Sequence, residues 1–321
     1  MNRPTSVQGG MARPAGVVDT LTAGYGVINR RLWVVFIPVV LDLFIWLGPR
    51  LSVEPMMEEA LASPRLVAAL AAGNSDSAEN VRAALRTAGK ESNLAAFLSV
   101  SLAGVPTIMG GPGRSQGQAV PLDSGPVVLG IIAGLFVVGS LVGCLYRAAI
   151  ASSVRHDEIG PLGYLAEGLR AWFRLIGLVF LFAVAGVAVG LPLILVAAAI
   201  GLVSRELAAF GAAVITSLVL LASLYLFFAP DAIFVSRHGP LSAMRASVRV
   251  VKSHAWSAMW LIALVSIMLL GMALVWAALA ARTPWGTITA IVGNAYVASG
   301  IIAGTMLFYR DRYQLYADAA A

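Results

Sequence analysis

Residues 175–204 read LIGLVFLFAVAGVAVGLPLILVAAAIGLVS and contain no charged side chain. A helix needs roughly 17 to 25 apolar residues to cross a bilayer. In hydrocarbon every backbone N–H and C=O has to be bonded internally, which one isolated segment achieves only as a helix. The stretch therefore predicts a transmembrane helix, with surplus length for a tilt or for a kink at Pro192.

Five further stretches have the same character, and one of them carries a single charge, Asp42. They are residues 32–49, 124–146, 207–230, 255–281 and 283–309. Over the 321 residues, 59% are hydrophobic and 12% are charged, against about 25% charged in soluble domains. The composition excludes a soluble globular protein. The predicted fold is an all-α polytopic membrane protein with six transmembrane helices.

A seventh apolar stretch, residues 94–109, is interrupted at Pro106 and followed by GGPG. Its unbroken part is too short to span a bilayer, so we expect an interfacial or re-entrant segment there. It lies within residues 50–123, which form the predicted extracytoplasmic segment.

The basic residues predict the orientation. Fourteen of the 22 Lys and Arg residues fall on the side that contains both termini. Cytoplasmic loops are enriched in Lys and Arg, so we expect a protein of the cell membrane with both termini in the cytoplasm. The predicted regions are residues 1–31 (cytoplasmic N-terminus with an amphipathic helix), 32–49 (first span), 124–313 (spans two to six) and 314–321 (cytoplasmic tail).

Three cytoplasmic segments align at constant offsets. Gly16, Gly160 and Gly239 are each followed by apolar residues in the 3-4-3 spacing of one helix face. This predicts three interfacial helices, the latter two at 161–174 and 240–254, each leading into a hairpin of two spans. The spacing alone is common to amphipathic helices, so a chance match is the alternative.

The polar faces of the latter two helices are basic. The candidate lipid- or partner-binding residues are Arg170, Arg174, Arg245, Arg249 and Lys252. Cationic amphipathic helices bind anionic headgroups at a membrane surface. The predicted partners are therefore the lipid bilayer and its anionic headgroups, with a membrane or cytoplasmic protein as a further possibility and no nucleic acid.

Four glycine pairs occur at the small-xxx-small spacing that allows close approach of two helices. They are Gly130/Gly134, Gly139/Gly143, Gly186/Gly190 and Gly300/Gly304. We expect most of them to pack within the chain.

No catalytic, cofactor or metal site is predicted. The chain has one cysteine, Cys144, and three histidines that are far apart in sequence. Asp42 is the candidate intramembrane functional residue, because a carboxylate inside a span marks an ion path, a proton relay or a buried partner. The structural alternative is a hydrogen bond to a neighbouring helix.

Residues 227–261, FFAPDAIFVSRHGPLSAMRASVRVVKSHAWSAMWL, and 307–313, LFYRDRY, carry a resemblance. They resemble the membrane domain of glycerophosphoryl diester phosphodiesterases and related, uncharacterised multi-pass bacterial proteins. The matching positions are Pro230, Gly239, Pro240, Ala243, Arg245, Ser247, Trp256, Tyr309, Asp311 and Arg312. The catalytic domain of that family has no counterpart here, so the resemblance implies a helical membrane module and no phosphodiester hydrolysis.

These observations favour a non-enzymatic integral membrane protein that organises membrane or docks a partner through its cationic helices. The alternative is a permease-like transport subunit that works with a separate ATPase, with Asp42 on the transport path. A lipid-modifying enzyme is disfavoured, because the sequence offers no catalytic set.

Overall fold

The computed structural model describes residues 15–71, 75–99, 103–157, 160–201 and 204–320. It is all-α and 83% helical. The helices are α1 (Val17–Arg30), α2 (Phe36–Leu47), α3 (Glu54–Ala62), α4 (Pro64–Ala71), α5 (Ser75–Glu91), α6 (Gly125–Arg155), α7 (Pro161–Ala185), α8 (Leu191–Gly201), α9 (Arg205–Leu226), α10 (Ala229–Val235), α11 (Pro240–Ser253), α12 (Ala255–Ala280) and α13 (Pro284–Ala320). Two short strands, β1 (Arg50–Ser52) and β2 (Ala119–Pro121), pair in parallel.

Five helical stretches of the described chain are long and apolar enough to cross a membrane. They are Gly125–Arg155, Pro161–Gly201, Glu206–Val235, Ala255–Ala280 and Pro284–Leu315. They coincide with five of the six predicted spans. The prediction of a helical multi-pass membrane protein is confirmed at this level.

The first predicted span, residues 32–49, is shorter than expected. It consists of a single 3-10 turn, Leu32–Val35, followed by the 12-residue helix α2. At 1.5 Å per residue α2 is about 18 Å long, and the 3-10 turn at about 2 Å per residue adds about 8 Å, against a hydrocarbon core about 30 Å thick. The continuous stretch Leu32–Leu47 is therefore shorter than the five long helices.

The second and third predicted interfacial helices have different outcomes. The break expected after residue 174 is absent, since α7 continues to Ala185. No glycine or proline lies between Gly168 and Gly177, and Leu175 is buried in the core, so both propensity and packing favour an uninterrupted helix. At the third position α11 is a separate helix that ends where His254 leaves the helical conformation.

The helix α1 packs along α13 in the opposite direction. Arg312 donates a hydrogen bond to the Ala15 carbonyl, and Tyr296 donates one to the Asn29 side chain. Leu21 and Ile28 of the predicted apolar face of α1 are buried against protein, whereas Val18, at its start, is 66% exposed. Most of this face is therefore covered by the bundle. Residues 1–14 of the predicted N-terminal region lie outside the described residues.

A π-helical turn, Gly186–Gly190, separates α7 from α8. It directly precedes Pro192, whose ring would clash with the carbonyl four residues earlier, at Ala188, in a regular α-helix. Widening the helix by one residue relieves that clash. The sequence predicted a tilt or a kink at Pro192, and the structure has a π-helical turn just before it.

The stretch 94–109 is not a span. It contains one 3-10 turn, Leu94–Leu98, and continues without helix from residue 103, while residues 100–102 lie outside the described residues. The backbones of Leu98 and Ala103 lie directly against Gly139 and Gly143 of α6. Gly139 is 14 residues into α6, about 21 Å from its start, so the stretch descends along that helix.

Candidate functional site

We call residues 94–99 and 103–109 the descending segment. Asp42 fixes its C-terminal end, residues 107–109. It lies on α2 and is fully buried. Its carboxylate accepts hydrogen bonds from the backbone N–H groups of Ile108 (3.2 Å) and Met109 (3.1 Å), and from the Thr107 hydroxyl. A carboxylate that accepts several such bonds is held in one orientation. The geometry makes Asp42 an anchor for residues 107–109.

Apolar packing surrounds the anchor. Ile45 and Trp46 of α2 pack with Ile108 and Met109, and with Ile291 of α13. Two further bonds secure the same loop: the guanidinium of Arg114 donates to the Ile108 carbonyl, and the N–H of Gln116 donates to the Trp46 carbonyl at 2.8 Å. Non-helical backbone such as that of residues 107–109 is tolerated inside a membrane only when protein surrounds it. The anchor and this cluster provide that surrounding.

A cavity of about 520 Å³ lies between the end of α9 and one side of α11. Its apolar wall is Leu226, Leu241, Met244 and Val248, and its cationic edge is Arg245, Arg249 and Lys252. Three of the five predicted basic residues therefore meet in one cavity. The sequence did not show that the end of α9 contributes part of the apolar wall.

The opposite side of α11 fixes the helix to the core. Its buried residues include Ala243, Ala246 and Val250. Ser247, on the same side, accepts a hydrogen bond from the Phe228 N–H at 3.1 Å and donates to the Tyr225 carbonyl at 2.8 Å. Both partners lie at the junction of α9 and α10. The bonds set the distance between α9 and α11, and so the width of the cavity.

The remaining two predicted residues, Arg170 and Arg174, lie on α7 outside the cavity lining. Gly177, one turn further on, packs so closely that a Cβ there would lie 2.8 Å from the Pro240 ring. Burial, then the charges of Arg249 and Arg174, lower the pKa of His238. The charge of Arg174 therefore acts on the loop that precedes α11, outside the cavity lining.

Four charged residues that sequence reasoning did not single out form a closed ring. Arg155 binds Glu167 (2.6 Å) and Asp157 (2.8 Å), and Arg237 binds the same two carboxylates (2.9 and 3.1 Å). The ring joins the end of α6, the start of α7 and the loop after α10. Arg237 also has a positive φ of 53°. The sequence signal was only an Arg-rich loop, because the partners are up to 80 residues apart.

The aromatic and basic residues at the end of α13 bind neighbouring elements. Tyr309 shares a hydrogen bond with Ser236 (3.1 Å), and Tyr313 shares one with His238 (3.0 Å). The guanidinium of Arg312 stacks over the Phe308 ring at 3.5 Å. The two hydrogen bonds hold α13 to the loop after α10, and the bond from Arg312 to Ala15 holds it to the residues before α1.

No group of three or more His, Cys, Asp or Glu residues that is able to hold a metal ion occurs in the part of the chain that the structure describes. Neither a protein-family model, nor a characterised protein, nor a solved structure shows significant similarity to the chain.

Proposed function

We propose that this protein is a non-enzymatic integral membrane protein that binds anionic phospholipid headgroups at its cytoplasmic face. The observation that carries the proposal is the cavity beside α11, which combines an apolar wall with three cations. A phospholipid has the same two parts, an acyl region and an anionic phosphate. Such a site suits a protein that organises membrane lipid or presents a lipid-bound surface to a partner.

The energetics support a lipid over a soluble anion. Each Lys or Arg near a membrane surface contributes about 1 kcal/mol towards anionic lipid. Burial of acyl methylenes on the apolar wall adds about 0.8 kcal/mol per CH₂. Trp256 and Trp260, at the start of α12, are 71% and 56% exposed. Tryptophans are enriched at the membrane–water interface, which supports a position of the cavity at headgroup level.

The proposed topology keeps both termini and α11 in the cytoplasm and residues 50–123 outside. It requires Leu32–Leu47 to cross the membrane beside α13 as the first of six spans, and it includes the threefold hairpin repeat. Cysteine labelling tests the sidedness in a Cys144→Ser background. A membrane-impermeant maleimide should label Lys90→Cys in intact cells and Lys252→Cys only after permeabilisation. The reverse pattern would invert the topology.

The lipid proposal is tested with the full-length protein in phosphatidylcholine nanodiscs, with phosphatidylglycerol titrated in. Thermal stability should rise as the anionic lipid binds the folded state. The Arg245→Gln/Lys252→Gln variant should lose most of that rise. The matched control is Arg86→Gln/Lys90→Gln, which removes one Arg and one Lys that are exposed on α5. An equal loss in both variants would show that overall charge, not the cavity, is responsible.

The permease-like alternative requires Asp42 to face a transport path. In the structure its oxygens are taken by Thr107, Ile108 and Met109, which favours the non-transport proposal. Kinship with the membrane domain of glycerophosphoryl diester phosphodiesterases is part of the proposal too, and it rests on the motifs in residues 227–261 and 307–313 alone.

A further inference from the structure

We infer that the cavity beside α11 selects a phospholipid with two phosphates joined through glycerol, of the diphosphatidylglycerol type, over lipids with one phosphate. The inference rests on the proposed function, which requires only that the site prefers anionic lipid. It adds the chemical class of the lipid.

The first argument is the spacing of the cations. Arg245 and Lys252 are seven residues apart on α11 and line the same cavity, with Arg249 between them. Seven residues of α-helix correspond to two turns and about 10 Å. One phosphate is small compared with that length, so it contacts one end of the row or its middle. Two phosphates on a three-carbon bridge engage both ends.

The second argument is the local charge. Among the described residues that line the cavity there are three cations and no carboxylate. Outside the lining, burial and then the charges of Arg249 and Arg174 lower the pKa of His238, in the loop before α11. The surroundings of the start of α11 are therefore also cationic. A headgroup with two negative charges compensates this potential better than one with a single charge.

The third argument is the size of the apolar surface next to the cations. The wall includes Leu226, and Val219, two turns earlier on the same side of α9, is 59% exposed. Leu241, at the other end of the wall, is 50% exposed. A lipid with four acyl chains covers a wide surface of this kind from one headgroup position. The cations thus lie at one end of a broad apolar face, as such a lipid requires.

The experiment uses full-length protein in phosphatidylcholine nanodiscs. Phosphatidylglycerol and diphosphatidylglycerol are compared at equal total phosphate, with binding read by native mass spectrometry and by the shift in thermal stability. The two-phosphate lipid should bind about tenfold more tightly. In Arg245→Gln and in Lys252→Gln, each measured alone, the preference should disappear. Arg86→Gln should retain it, and the elution volume and circular dichroism of every variant confirm folding.

The outcomes separate the two claims. Equal affinity for the two lipids per phosphate would overturn this inference and leave the proposed function intact. Binding of neither lipid above the phosphatidylcholine background would overturn both. A soluble arm uses glycerol 1,3-bisphosphate without acyl chains, for which we expect no measurable binding at lipid-saturating concentrations. Binding of this compound as tight as that of the lipid would overturn the assignment to lipid.

Discussion

Asp42 illustrates how one side chain organises a long segment. Its carboxylate lies on α2, and the N–H groups that it accepts from are 66 and 67 residues further along the chain. The descending segment has no helical hydrogen bonds of its own at this point. Its buried N–H groups therefore depend on Asp42, since an unpaired buried donor is costly.

Replacing Asp42 by alanine should destabilise the protein by about 1–3 kcal/mol, because the buried Ile108 N–H loses its acceptor and the Met109 N–H keeps only the Thr107 hydroxyl oxygen, at 3.2 Å. Asp42→Asn keeps one acceptor oxygen and should cost less. Thermal unfolding in nanodiscs measures both, and protease cleavage after Arg114 reports release of the loop. The control is Asp123→Ala, an exposed carboxylate of the same segment, which should change stability by less than about 0.5 kcal/mol. An Asp42→Ala protein as stable as the control would refute the anchor.

His238 makes stability depend on pH. Burial, together with the charges of Arg249 and Arg174, lowers its pKa below the ordinary value of 6.5. Between the folded pKa and 6.5 the unfolded chain binds more protons, so stability falls as the pH falls through this window. The wild-type melting temperature should drop between pH 7.5 and 5.5, and His238→Gln should reduce the drop. His156→Gln, at an exposed position, serves as the control. A drop unchanged by His238→Gln would contradict this account.

At the scale of elements, the small-xxx-small glycine spacing marks a packing contact in only two of the four pairs. Gly300 and Gly304 receive Tyr25 and Leu21 of α1. Gly139 and Gly143 receive the descending segment. A Cβ at Gly130, Gly134, Gly186 or Gly190 would meet nothing within 4 Å. The sequence identified all four pairs as equivalent, because the partner of each pair comes from a distant part of the chain.

The contact of α1 with α13 is tested at Gly24. A Cβ there would lie 2.5 Å from the backbone nitrogen of Gly304, so Gly24→Ala must push the two helices apart. We expect a loss of about 1–3 kcal/mol in unfolding free energy, as for other overpacked contacts. The matched control, Gly130→Ala, faces open space and should be neutral or stabilise by up to about 1 kcal/mol. Equal effects would mean that α1 does not rest on α13.

The elements that could be predicted are those set by the local sequence, and the others depend on contacts with distant parts of the chain. Five long spans follow from stretches without charge, since lipid imposes that condition locally. The segment at 32–49 carries one charge, Asp42, and its helical stretch, Leu32–Leu47, is shorter than the other five. Asp42 is paired with residues 107–109, which the local sequence does not reveal. The basic residues of the cavity were also visible in the sequence. Their apolar counterpart, Leu226, lies at the end of α9, and only the tertiary fold brings it to α11.

At the scale of the whole molecule, charge and apolar surface are segregated. The ring of Arg155, Asp157, Glu167 and Arg237 and the cavity beside α11 lie together at one end of the bundle. Away from this end, the hairpin of α7, α8 and α9 presents apolar side chains: Phe180, Val187 and Leu195 are 60–66% exposed. Contiguous apolar surface of this extent requires a cover. Lipid provides it when the hairpin spans the bilayer.

Spin labels placed on the hairpin test this arrangement directly. Cys144 is buried and is the only cysteine, so a Cys144→Ser background accepts single cysteines. Labels at Val187→Cys and Val219→Cys should collide often with dissolved oxygen and rarely with a water-soluble nickel complex, because oxygen concentrates in hydrocarbon. A label at Lys90→Cys, on the exposed face of α5, should show the reverse. Nickel accessibility at Val187 equal to that at Lys90 would place the hairpin outside the membrane, and the lipid-facing role of α9 in the cavity would fail with it.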